Sequence, residues 1–253
     1  MTSNGDSNQT CRLVTVLFMG LLLLSSCQRS STYLTASKGE SFPGLSQPTR
    51  VSSRNADAAE PAIAASPDGS VYLAWVNHGP NKEANVMIEN NHMESNRELF
   101  YATSMDGGHT FSANQRVASD VCPCCKTALA VSADGHLYLS WRQVLPGDLR
   151  HIAVASSSDQ GKTFSSPKIV SDDQWVLAGC PVSGPSLSVD KNGVLSVLWY
   201  SAGTSGQTGL YWSQSNDHGA TFEGRKLVSA GSTNGSPVVV TENGVMCGRL
   251  GGQ

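Results

Sequence analysis

The chain has 253 residues, of which 39% are hydrophobic and 15% charged, and its formal net charge is −3. That is enough apolar material for a globular core, while the slightly acidic balance offers no basic surface, so no nucleic-acid partner is expected. The apolar residues fall in short alternating runs rather than long helical stripes, which predicts an all-β chain.

Residues 1–12 are polar, and an apolar run from Leu13 to Leu24 follows. Twelve residues are too few to span a bilayer and suit the core of a signal peptide. Leu24-Ser25-Ser26-Cys27 resembles the bacterial lipobox, in which the Cys receives lipid and becomes the first residue of the mature protein. The plainer alternative is an ordinary secretion signal with an incidental Cys27. Residues 1–27 are thus expected to be a lipoprotein signal peptide with Cys27 as lipidation site. The mature protein would be exported and lipid-anchored in the bacterial cell envelope, facing the periplasm or the cell surface. Residues 28–47, rich in Ser, Thr and Gly, read as a flexible linker, and 48–253 as the folded domain.

From Pro61 onward the chain repeats itself. Pro61–Trp75, Thr127–Trp141 and Pro185–Trp199 align without a gap, each holding two apolar runs around an Asp-Gly or Asn-Gly turn. An octapeptide follows each Trp: Ser104, Asp106, Gly108, Thr110 and Phe111 in the first copy, then Ser157, Asp159, Gly161, Thr163 and Phe164, then Ser215, Asp217, Gly219, Thr221 and Phe222. Four short runs per repeat, at a period of about 50 to 60 residues, are the signature of propeller blades.

The octapeptide resembles the Asp-box, or BNR repeat, of the sialidase superfamily. That resemblance covers roughly Arg50 to Gly244 and implies a sialidase-like β-propeller, six-bladed in the family. It places the boxes in the turn between the third and fourth strands, on the rim away from the active site. The local chemistry agrees with a structural role, because an Asp carboxylate can accept backbone N–H bonds within its own turn and Gly supplies a backbone shape that other residues resist.

Pro48–Ser52 matches the fourth runs of the repeats and predicts an isolated strand that completes the last blade. After the third repeat, Gly235–Val240 and Val245–Leu250 begin a fourth, but no Trp stands at Leu250. The expectation is about three complete four-stranded blades plus a partial one, with incomplete closure, as in a truncated propeller.

Loops joining second to third strands, and blade to blade, share one face, where the resemblance places a substrate. Cys122 and Cys180 fall there, each seven residues before an apolar strand residue, Leu129 or Leu187, so neighbouring blades bring both to the channel mouth. In an exported protein a disulfide is one reading. Another is a copper or zinc site built from Cys122, Cys124, Cys125 and Cys180, completed by His78, Met87, His92 or Met93 of an insertion in the first repeat. A third is an unligated or redox role. The adjacent Cys124 and Cys125 are not expected to pair with each other.

The leading reading is a non-catalytic, lipid-anchored module binding a glycan or protein ligand on its cysteine-bearing face. The alternative is an exo-α-sialidase-like glycoside hydrolase acting on sialoglycans. The resemblance then calls for three Arg on the substrate carboxylate, a Tyr nucleophile activated by a Glu and an Asp acid/base. The family's first Arg lies in an Arg-Ile-Pro motif, and Arg50-Val51-Ser52 does not match it. Arg97, Arg142 and Arg150 fall in or beside loops of the relevant face and Glu60 precedes its strand, each with a plain reading as a solvated residue. The catalytic set is not identifiable from sequence.

Overall fold

Alternation of apolar and polar residues decides the strands. The computed structural model describes residues 49–52, 58–78, 97–231, 237–242 and 245–249, and among these there are strands and turns but no helix. Cys27, the signal and linker segments, and Met87, His92 and Met93 lie outside the described residues.

The first blade comprises β1 (Ala58–Ala65), β2 (Val71–Asn77), β3 (Glu98–Ser104) and β4 (Gln115–Ser119). The second comprises β5 (Ala128–Val131), β6 (Leu137–Leu145), β7 (Leu149–Ser157) and β8 (Lys168–Ile169). A two-residue strand, β9 (Trp175–Val176), comes before the third blade of β10 (Ser186–Val189), β11 (Leu195–Ser201), β12 (Gly209–Ser215) and β13 (Lys226–Ala230). Each blade is an antiparallel meander in sequence order, and β14 (Val238–Glu242) with β15 (Val245–Arg249) forms a hairpin fragment of a fourth. The expected all-β architecture is present, an arc of three blades and a partial one. No strand pairing among the described residues closes it.

β9 was not anticipated. It pairs Leu149 and Arg150 at the start of β7, a stretch that the short β8 leaves open because it pairs only Ala153 and Val154. Residues 49–52 depart from the expected strand. They are not in a sheet; Val51 packs against Trp75 and Phe100, and its carbonyl accepts a bond from the Asn114 amide.

The blades are joined through both faces of their sheets. On β6, Leu137, Leu139 and Trp141 enter one cluster with Tyr72, Leu99 and Tyr101 of the first blade. The intervening Tyr138 enters another with Leu195, Val197 and Trp199 of the third. This is the period-2 pattern of a strand buried on both sides, and each fully buried large side chain contributes about 1.5–3 kcal/mol. The first strands of successive blades line a central cleft of about 280 Å³, with Pro61, Pro185 and Pro237 on its wall. A missing N–H is tolerated there because these positions begin or edge a sheet.

The three octapeptide turns are nearly superimposable in their bonding. The Ser hydroxyl donates to the Asp carboxylate at 2.7 Å in each copy. The Thr amide donates to the same carboxylate at 2.9 Å in each. These bonds hold Asp159 and Asp217 down to about 2 and Asp106 lower still, with the Thr hydroxyl the largest cause. Gly161 has a further duty. A Cβ there would meet Tyr101 Cε1 of the preceding blade at 2.7 Å, so the turn accepts that ring only without a side chain.

Candidate functional site

The face opposite the octapeptide turns is built from two blade-to-blade loops, residues 120–127 and 172–184. In the first, a turn at Pro123-Cys124 curls the chain so that Cys122 and Cys125 meet, with Cα atoms 5.4 Å apart, and they are disulfide-bonded. The same turn throws Cys124 outward to Cys180, with Cα atoms 6.4 Å apart, and this pair is the second disulfide. The expected partnership of Cys122 with Cys180 is therefore corrected: their sulfurs lie 4.0 Å apart, beside each other but unbonded. All four candidate cysteines do converge, every sulfur within 4.8 Å of every other. Cys122 and Cys125 are buried, while Cys124 and Cys180 are partly accessible.

Backbone contacts lock the two loops together. Gly184 lies so close to Lys126 that an added Cβ would stand 2.7 Å from its carbonyl carbon and nearer still to the oxygen. Val182 holds φ at 50°, a conformation that β-branched residues rarely adopt, and is exposed between Cys180 and Gly184. His78 Nε2 lies 2.7 Å from the Pro123 carbonyl, and Arg97 donates to the His78 carbonyl. The start and end of the insertion thus hold the cysteine turn, and this His78 nitrogen faces a main-chain oxygen rather than the sulfurs.

The arginines are not the solvated residues the sequence suggests. Arg142 and Arg150 are fully buried and Arg97 nearly so. The main-chain oxygen of Arg142 accepts from the Cys122 amide, and its Nε and Nη2 donate to Ser183 and Tyr200 carbonyls. The guanidinium stacks over Trp175 at 4.7 Å. Burial pulls it down to about 9, against the nearby Asp173, which holds it up. Arg150 donates to the Leu177 carbonyl and pairs with Asp148 at 3.6 Å. The Nε and Nη2 donors of both residues run to main-chain carbonyls, while Nη1 of each is buried without a hydrogen-bond partner among the described residues. Glu60 is half-buried in β1, and its carbonyl accepts from Thr127.

Sequence reasoning missed Asp173. It is fully buried, accepts from Trp199 Nε1 at 2.7 Å and pairs with Arg225, tying the second loop to the third blade. The only signal was an acidic pair placed just before a Trp.

The octapeptide face holds a second cluster of Asp134, His136 and His218. His136 Nδ1 is 3.0 Å from the Asp134 carboxylate, and Tyr138 bonds His218 Nδ1 at 3.0 Å. The two imidazoles are stacked, 4.1 Å between centroids and 17° from parallel. In-plane lone pairs of stacked rings run side by side, so this pair does not converge on one ion as it stands. It serves as a contact between the second and third blades.

Fold and site together define an incomplete β-propeller with structural Asp turns on one face and a cysteine tetrad on the other. No protein-family model matches the sequence, and no curated protein matches it. Among solved structures, the chain is similar to the Hadza microbial sialidase Hz136, with a TM-score of 0.48 and 16% identity over 74% of this chain and 37% of that one. It is similar to Zg3597, a family 117 glycoside hydrolase of the marine bacterium Zobellia galactanivorans, with a TM-score of 0.46 and 16% identity over 72% and 59%. It is also similar to Trypanosoma rangeli sialidase in complex with sialic acid, with a TM-score of 0.44 and 15% identity over 75% and 33%. The chain thus spans less than two thirds of each of these proteins.

Proposed function

We propose that this chain is a non-catalytic, lipid-anchored module of the sialidase-superfamily type that binds a glycan or protein ligand on its cysteine-bearing face. The observation that carries the reading is the construction of that face. Two loops from different blades are bonded by Cys124–Cys180, packed at Gly184 and stitched through Arg142, which makes a preorganised platform. Val176 and Val182 stand exposed on it, 65% and 62% accessible, and offer apolar contact to a partner. Sialidase-like hydrolysis is the second reading, favoured by three arginines on one face. It is disfavoured by their engagement with main-chain carbonyls, since a carboxylate clamp needs guanidinium forks open to the substrate.

Two assays on the full chain in detergent test this. Hydrolysis of a fluorogenic sialoside above the protein-free blank would overturn the non-catalytic reading. Binding to a panel of sialylated and asialo glycans and to envelope protein fractions is then compared with a Val176→Asp/Val182→Asp variant. Undiminished binding by the variant would remove the site from this face. The anchor is tested by fatty-acid labelling in cells, which Cys27→Ser should abolish.

A further inference from the structure

We infer that the four cysteines form a soft-metal site whose occupancy is set by their oxidation state: two disulfides when oxidised, a tetrathiolate for zinc(II) or copper(I) when reduced. The inference rests on the cysteine-bearing face proposed above and names a ligand chemistry and a control for it.

Geometry is the first support. A tetrahedral zinc tetrathiolate with bonds of about 2.3 Å has sulfurs roughly 3.8 Å apart. The unbonded pair Cys122 and Cys180 already stands at 4.0 Å, and all six pairs fall within 4.8 Å. Conversion between the two states therefore asks for side-chain rotation within the loops rather than a rearrangement of blades.

Sequence spacing is the second. Cys122-Pro123-Cys124-Cys125 is a C-x-x-C segment, the spacing shared by thiol redox motifs and metal knuckles. Its internal disulfide closes a loop with only two residues between the cysteines, the kind that constrains an unfolded chain least. Stabilisation alone gives little reason for that bond.

The third support is charge. A tetrathiolate holding zinc carries two net negative charges and needs a compensating environment. Arg142 is a buried cation that joins both cysteine loops, through its main-chain oxygen to Cys122 and through Nε to Ser183. Its Nη1 has no hydrogen-bond partner among the described residues. Access follows burial: Cys124 and Cys180 are partly open and would meet a reductant first, while the thiolate released lies beside the inner disulfide.

The electron count is simple. Two dithiol molecules each deliver two electrons and two protons to one disulfide and leave as disulfides themselves, so that four thiols remain. Zinc(II) then displaces the four thiol protons. Copper(I) displaces protons from the same thiols, with fewer ligands needed.

The test uses the full chain in detergent, reduced by a phosphine under argon and freed of it, then titrated with cobalt(II). A thiolate-to-cobalt charge-transfer band should saturate at one ion per chain and disappear on adding zinc(II), with copper(I) as a separate arm. The oxidised chain should show no band, and diamide should release bound metal. Cys180→Ser should bind at least about tenfold more weakly, with circular dichroism showing that the strands persist. The oxidised wild type is a control that needs no substitution. A reduced chain with four titratable tetrad thiols and no band would overturn the inference, as would equal binding by the oxidised chain or by Cys180→Ser. None of these results depends on glycan or protein binding, so failure here and failure of the binding-face reading are separate outcomes.

Discussion

Replacing Gly184 with Ala puts the loop-to-loop contact under direct strain. The new Cβ would stand 2.7 Å from the Lys126 carbonyl carbon and 2.9 Å from its nitrogen. Carbon contacts are comfortable only near 3.5–4.0 Å, so the two loops must separate by about 1 Å. Cys124 and Cys180 sit one on each loop with Cα atoms 6.4 Å apart. Disulfides become unfavourable beyond about 7 Å, so that separation takes the pair past the limit. Overpacking of this kind costs about 1–3 kcal/mol, which for a domain of this size lowers Tm by roughly 2–12 °C. Oxidised Gly184→Ala protein, denatured without reductant, should titrate with two more free thiols than the wild type. Gly179→Ala is the control, since an added Cβ there has no neighbour within 4 Å. If Gly184→Ala shows the thiol count and melting temperature of Gly179→Ala, the loops are not packed as argued.

Asp173→Ala should destabilise by about 3–5 kcal/mol in urea titration, because it leaves the Arg225 charge and the Trp199 N–H without their buried acceptor. The neighbouring exposed Asp172→Ala should cost under about 1 kcal/mol. The carboxylates of Asp159 and Asp217, held below their unfolded value near 3.9, stabilise the chain at pH above about 4 and cease to do so as pH falls through about 2, and the contribution of Asp106 persists to lower pH. Denaturation midpoints should decline in that window, and less steeply for Asp159→Asn. Val182→Gly should be neutral or stabilising by up to about 1 kcal/mol in thermal melts, since it relieves a positive φ at an exposed position.

The repeat makes the blades legible in the sequence. Three aligned Trp and three octapeptides fix where strands two, three and four must fall, because a one-residue slip would turn every buried side chain outward. The convergence of the cysteines was legible for the same reason, since equivalent positions in adjacent blades are neighbours. Their pairing was not. It turns on a local curl at Pro123-Cys124 that carries no signature beyond the proline. Arg142 and Asp173 were read as solvent-facing or passed over because burial of a charge depends on partners drawn from distant loops: Ser183 and Tyr200 in one case, Trp199 and Arg225 in the other. No window of sequence contains those partners together.

The alternation along β6 has a consequence for cooperativity. Because its two faces belong to different clusters, the second blade has a neighbour on either side, while the first blade has only one complete neighbouring blade among the described residues. Stability in such stacks is close to a sum of nearest-neighbour couplings, as in a one-dimensional chain of spins. Amide exchange should therefore be slowest in β6 and β7 and grow faster outward through β2 and β3. Opening would begin at the first blade and travel inward. A ligand bridging the two cysteine loops would strengthen one coupling in that series, and its effect should appear as slower exchange in the second and third blades together, with the first blade nearly unchanged.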